Sequence, residues 1–245
     1  MHIVAHPRAT TQVRVAMFPE AERLLPWCRR NGVRHAVTGG YFSREQAKPL
    51  GEIWMHGLRL ETVPFGKKHA GRRSALFADE PILRIAPLRE LPTEPRGDLL
   101  TAGPMLARDG RSLMGPGADY EGIPETWKGE LDDDWTQMRA QRTAIGYDDA
   151  HIWTVVCDGQ SSHVWEGFRD DSNKDAGLNL EELAEVMLGL GAREAMNLDG
   201  GGGATLVYKQ RLLNKPRAGK HDPEGIGNVM PHGRPIHSAL TFLPR

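Results

Sequence analysis

The sequence has only two cysteines in 245 residues, Cys28 and Cys157. One pair is no disulfide framework. No apolar stretch approaches the ~20 residues of a membrane-spanning helix. The opening Met1-His2-Ile3-Val4-Ala5-His6-Pro7 has neither a basic n-region nor an apolar h-region. No secretory leader is therefore visible, and a cytoplasmic protein is expected. An excess of one charge sign is also missing: 31 Lys and Arg meet 32 Asp and Glu, for a net charge of −1 and a pI of about 6.8. Without a concentrated basic surface, neither nucleic acid nor a membrane is expected as a partner. There is no Gly-x-Ser-x-Gly elbow, so a serine hydrolase has no support. His221, His232 and His237 lack metal-ligand spacing of the His-Glu-x-x-His kind, and neither a metal nor another cofactor is expected. No internal repeat or low-complexity tract stands out, and the sequence is silent on oligomeric state.

What is present suits a globular protein. Hydrophobic residues make up 39% and charged residues 26%, and the length is enough to bury a sizeable core. The 28 glycines and 17 prolines favour many turns and short elements over a helical bundle. Val13, Val15, Met17 and Phe18 nearly alternate, which predicts a strand over about 10–18. Between Pro19 and Asn31, Ala21, Leu24, Leu25 and Cys28 recur at helical spacing, with Pro26 as a disturbance and Gly32 as a stop. Strands are predicted at 33–38, 52–63, 74–77, 82–86 and 98–101. The polar stretch 115–140, with Asp132-Asp133-Asp134, reads as a long surface loop. Further strands are expected at 142–147, 151–157, 195–198, 204–208 and 235–242, and an amphipathic helix at 179–190. Strands outnumber helices and connections are short. The predicted class is α+β, a mixed β-sheet core with a few packed helices in one domain over 1–245.

The strongest chemical feature is Asn197-Leu198-Asp199-Gly200-Gly201-Gly202-Gly203. Four consecutive glycines carry a heavy entropic cost. A chain keeps them where the backbone needs positive φ or where something must approach very closely. Successive exposed N–H groups there would form an anion-binding concavity, with the Asp199 carboxylate at its lip. The bland alternative is a glycine hairpin with Asp199 as a turn residue. No Gly-Lys-Ser/Thr follows, so this is not a P-loop. Arg142-Thr143-Ala144-Ile145-Gly146-Tyr147 offers an arginine able to clamp a phosphate, although an arginine before a strand is more often a surface charge and the signal alone is weak. Thr38-Gly39-Gly40-Tyr41-Phe42 frees backbone and sets aromatic rings beside it, for a sugar face or merely for a core. Ala102-Gly103-Pro104-Met105-Leu106 leads to Asp109-Gly110, a hairpin turn signal. Asp171, Asn173, Asp175, Asn179 and Glu182 fall at EF-hand positions, but Ala176 occupies the required glycine position. Asn179 and Glu182 read more simply as a capping box. Cys157 ends an apolar strand and belongs to the core.

Taken in order, Gly39 to Phe42, Ala102 to Leu106 with Asp109-Gly110, Arg142 to Gly146, Asp158-Gly159, Gly177 to Ala184, Asn197 to Gly202, Asn214 to Pro216 and His237 to Leu240 resemble the phosphodiester glycosidase family. The resemblance spans roughly 35–243. It departs at Thr38, where the family usually has asparagine, and at Gly203-Ala204, where it usually has two serines. The resemblance implies hydrolysis between an anomeric carbon and a phosphate oxygen, on a small-molecule or glycan substrate carrying a sugar-1-phosphate. In that reading Asp199, or in second place Asp158, acts at the anomeric centre, and Arg142 with the Gly200–Gly202 amides stabilises the phosphate. Gly39, Gly40, Tyr41, Gly103, Thr143 and Asn197 would complete the substrate pocket. Two rival readings remain: a hydrolase attacking phosphorus, for example on a nucleotide sugar, and a non-catalytic glycan- or phosphate-binding module.

Overall fold

The structure is a computed structural model and describes residues 1–65, 70–123, 138–159, 177–219, 222–225 and 227–245. Three antiparallel sheets dominate it. The first has the order β1 (His2–Pro7), β14 (His151–Cys157), β13 (Arg142–Tyr147), β15 (Glu194–Asn197), β11 (Met105–Arg108) and β12 (Arg111–Ser112). The second runs β7 (Leu58–Arg59), β6 (Ile53–Met55), β10 (Asp98–Thr101), β8 (Ser74–Asp79) and β9 (Ile82–Pro87). The third runs β17 (Arg211–Leu212), β16 (Leu206–Tyr208), β3 (His35–Thr38), β18 (Ile236–Pro244) and β2 (Thr11–Glu22). A small ribbon pairs β4 (Phe42–Ser43) with β5 (Lys48–Pro49).

The α+β class holds in its coarse form, but the molecule is dominated by sheet, with two α-helices among the described residues. The expected mixed sheet is corrected: every pairing between the named strands is antiparallel. Hairpins supply several of these pairs, such as β8–β9, β13–β14 and β16–β17, while β1–β14 and β2–β18 join segments far apart in the sequence.

The first helix, α1 (Leu24–Arg30), is shorter than the sequence predicts, because residues 19–22 stay in β2, whose pairing with β18 shifts register after Met17 and resumes at Glu22. Pro26 is the helix's third residue. There the missing N–H has no intrahelical acceptor in any case, so the helix survives it. Gly32, at φ 67°, follows the helix end. The second helix, α2 (Leu180–Gly189), opens on the predicted capping box. The Asn179 side chain accepts from the Glu182 N–H at 2.8 Å, and Glu182 accepts from the Asn179 N–H at 3.0 Å. Asp171, Asn173 and Asp175 lie outside the described residues, as does Asp132-Asp133-Asp134. Asp109-Gly110 forms the predicted turn, with both residues at positive φ between β11 and β12.

One apolar core joins all three sheets. Val4 and Val155 from the first, Leu76 and Leu100 from the second, Val37 and Leu240 from the third, and Leu183 and Met187 of α2 belong to it. A smaller cluster packs Leu24, Leu25 and Cys28 of α1 on Phe18, Ala36 and Ala239 of the third sheet. Where the first and third sheets meet, the ends of β3 and β15 come together with the start of β13. Ala144 of β13 pairs with Asn197, and Leu206 of β16 pairs with Val37. The glycine run bridges β15 to β16 across that junction.

Candidate active site

Leaving β15, the chain is fastened at each step. The Leu198 N–H donates to the Thr143 carbonyl at 2.8 Å, and the Asp199 N–H to the Gly39 carbonyl at 2.9 Å. Residues 201–203 then make a single 3-10 turn. Only Gly201 adopts positive φ, at 55°. The other glycines answer to close approach. A Cβ on Gly202 would lie 2.6 Å from an Arg234 guanidinium nitrogen, and one on Gly203 would lie 2.7 Å from Asp199 Oδ2.

This geometry corrects the expectation of a bare amide nest. The Gly200 N–H donates to Asp199 Oδ1 at 3.0 Å, and the Gly201 N–H donates to the Gln141 carbonyl at 2.9 Å. Two of the three amides expected to face an anion are therefore occupied by the chain itself. The run serves instead to let a carboxylate and a guanidinium sit against backbone.

Asp199 is half-buried, and its Oδ2 is shut off from solvent without a hydrogen-bond partner. Burial pushes its carboxyl up to about 6; the charges of Arg234 and Arg44 and the Gly200 N–H pull it back. Unpaired buried carboxylate oxygens are rare because water would solvate them well. Below Asp199, Arg234 is held by Asp222: Nε donates to Oδ1 at 2.6 Å, and the second contact joins Nη2 to Oδ2. The Asp222 carboxylate also accepts the Gly219 N–H at 2.6 Å. Arg44 stands in the turn between β4 and β5. It is exposed, and among the described residues it has no hydrogen bond or ion pair.

Beside Asp199 lies a second polar set. The Asn197 amide donates to the Tyr41 hydroxyl at 2.6 Å and to the Leu198 carbonyl at 2.8 Å, while the Tyr41 hydroxyl donates to the Gly103 carbonyl at 2.5 Å. Asn197 Oδ1 and Thr143 Oγ1 are both buried without partners. Burial pushes the Tyr41 phenol up, with the Asp199 charge adding to it, so Tyr41 stays neutral. The Glu121 carboxylate takes the N–H groups of Ser74 and Met105 at 2.8 and 2.7 Å and braces Gly103. Gly40 donates its N–H to Ser238 Oγ at 3.0 Å. Thr38, which departs from the family asparagine, ties the glycine turn to β3. Its hydroxyl donates to the Gly203 carbonyl and accepts the Thr205 N–H at 3.0 Å.

The structure thus brings Gly39, Gly40, Tyr41, Gly103, Thr143, Asn197, Asp199 and Gly200–Gly202 to one junction. Two expected residues sit differently. Arg142 is 2% exposed, and its guanidinium donates to the carbonyls of Leu178 at 3.1 Å and Met138 at 2.7 Å. It is a buried cation beneath the site. Asp158 is engaged in joining segments: its carboxylate meets His2 Nε2 at 2.8 Å and takes the Asn214 amide at 3.0 Å and the Lys215 N–H at 2.9 Å. Arg44, Asp222 and Arg234 carry no motif in a single sequence and were missed. The two long-range salt-bridge partners are 12 residues apart, and Arg44 follows the Gly39-Gly40 motif by four residues in what reads as loop. Among the described residues no three His, Cys, Asp or Glu side chains gather closely enough to hold a metal ion.

The profile of the phosphodiester glycosidase family matches residues 31–242. The chain belongs to the phosphodiester glycosidase family. Curated members include N-acetylglucosamine-1-phosphodiester alpha-N-acetylglucosaminidase from Bos taurus, 28% identical over 195 residues, and from Homo sapiens, 28% identical over 191 residues. These matches take in 77% and 75% of the chain, which itself spans about a third of the length of those relatives. Among solved structures, the catalytic domain of zebrafish N-acetylglucosamine-1-phosphodiester alpha-N-acetylglucosaminidase, auto-inhibited by its pro-peptide, superposes with a TM-score of 0.66 at 19% identity. That match covers 100% of this chain and 83% of the other. A putative exported protein from Burkholderia pseudomallei reaches 0.61 at 16% identity, over 99% of this chain and 73% of its own. At these identities the structural matches speak for the fold.

Proposed function

We propose that this family member hydrolyses the glycosidic bond of a sugar-1-phosphodiester, releasing free sugar and a phosphomonoester. The observation that carries the reading is Asp199 Oδ2, a shielded carboxylate oxygen without a partner at the mouth of the glycine turn. With its carboxyl near 6, Asp199 is largely ionised at neutral pH yet basic enough to accept a proton. Water attacks the anomeric carbon, and Asp199 takes the proton it sheds. The bond from that carbon to the phosphate oxygen breaks, and its electron pair leaves with the phosphate. The leaving group is already an anion, so it needs cationic stabilisation more than protonation. In this reading Asn197 and Thr143, each with a buried unpartnered oxygen, accept from sugar hydroxyls.

The test is product analysis on a panel of sugar-1-phosphodiesters, with and without chelator, for the wild type and Asp199→Asn. The expected result is chelator-insensitive release of free sugar that falls by about 100-fold or more in the variant. Chelator-sensitive release of sugar phosphate would replace this reading with attack at phosphorus. Ligand binding without turnover would replace it with a binding module.

A further inference from the structure

We infer that Arg44 is the residue that seats the phosphate and sets the preference for a phosphodiester over a neutral leaving group, an inference that rests on the glycosidase reading above. Of the guanidiniums of Arg142, Arg234 and Arg44, only one is available to a ligand. Arg142 is buried and donates to two backbone carbonyls. Arg234 is doubly held by Asp222, and its side chain is only 11% exposed. Arg44 alone of the three is both exposed and without a hydrogen bond or ion pair among the described residues.

Its position is fixed by the same motif that holds Asp199. The Gly39 carbonyl accepts the Asp199 N–H, the Gly40 N–H is anchored on Ser238, and β4 leads directly from there to Arg44. The Ser43 hydroxyl accepts the Gln46 N–H at 3.3 Å and closes the turn that presents Arg44. Arg44 lies close enough to Asp199, Asp222 and Arg234 for their charges to act on it. Yet Arg44 and Asp199 form no ion pair, and Asp199 keeps one carboxylate oxygen without a partner while the other accepts the Gly200 N–H. A glycosyl phosphate matches that pattern, with its anionic oxygens on the guanidinium and its electron-poor anomeric carbon towards the carboxylate. The planar guanidinium suits two phosphate oxygens at once, which a lysine does not reproduce.

Two measurements test the assignment on wild type, Arg44→Ala and Arg44→Lys. The first is kcat/KM on a sugar-1-phosphodiester and on the nitrophenyl glycoside of the same sugar. The ratio of the two should fall at least tenfold in Arg44→Ala and recover only partly in Arg44→Lys. The second is titration with inorganic phosphate followed by calorimetry, whose affinity should fall about as far. An unchanged ratio in an active enzyme, or phosphate binding equal in wild type and Arg44→Ala, overturns the assignment, as does a wild type that binds no phosphate. If no glycoside is turned over but phosphate binding is lost in Arg44→Ala, the glycosidase reading fails and the phosphate seat stands.

Discussion

Asp199 illustrates at a single residue how a site can work against the stability of its protein. Its carboxyl is raised from 3.8 to about 6. Between those values the unfolded chain has released a proton that the folded chain keeps, so stability falls as pH rises through that window. Two units correspond to about 1–3 kcal/mol after allowing for partial exposure. Asp199→Asn should therefore melt at a higher temperature than the wild type at pH 7 while losing turnover, which calorimetry and assay together will check. The ionised base also predicts an acid limb in the rate profile near pH 6, read from kcat/KM across pH 4.5–8. Gly203→Ala makes the complementary case. Its new Cβ would strike Asp199 Oδ2 and turn the carboxylate aside. Activity should fall tenfold or more with a small change in melting temperature.

At the scale of elements, sequence was a good guide where a signal is local. The capping box of α2 rests on residues three apart, and the structure forms both of its bonds. Replacing Asn179 by Ala should cost about 1 kcal/mol in denaturant unfolding. The Asn197–Gly203 run was visible because four glycines need a reason. What it does was not visible, because Gln141, Gly39 and Arg234, which determine which amides remain free, come from distant segments. Two further elements differ, one because it leaves no local signal and one because its signal points the wrong way. β1 carries His2, His6 and Pro7 and shows little strand pattern; it exists because β14 offers it a ladder from Val156 to His151. The start of α1 lies later than the Ala21 spacing suggests, because β2 runs on through that segment to Glu22, where it rejoins β18. Thr38 belongs to this scale too. Thr38→Val leaves the Gly203 carbonyl and the Thr205 N–H without their partner and should destabilise by about 2–4 kcal/mol, measured by urea unfolding.

Across the whole molecule, the seam between the first and third sheets holds two histidines. His6 of β1 stacks on Phe242 of β18 with ring centres 4.2 Å apart, and its ring centre lies 5.4 Å from that of His35 of β3, which itself stacks on Tyr208. Burial, then the charge of His35, pulls His6 down to about 4, and His35 is lowered as well. The folded state refuses a proton that the unfolded chain accepts. Stability contributed by the neutral ring is complete above about pH 6.5 and is lost as pH falls towards 4. For His6 this is about 3 kcal/mol, opposite in sign to the Asp199 contribution over much of the same window. Unfolding free energies between pH 7.5 and 4.5 should fall less steeply in His6→Phe, which keeps the stack on Phe242 without the titration.

The position of β18 between β2 and β3 also has a meaning for a chain still being made. Residues 11–22 and 35–38 leave the ribosome about 200 residues ahead of the strand that fills the space between them. At typical elongation rates the two wait roughly 10–40 s with unpaired edges. Edges of that kind invite pairing with neighbouring chains. The seam that carries Thr38, the glycine turn and Arg234 therefore closes only once residues 236–244 have been made, and nascent chains stalled before residue 236 should depend on chaperones and show no activity.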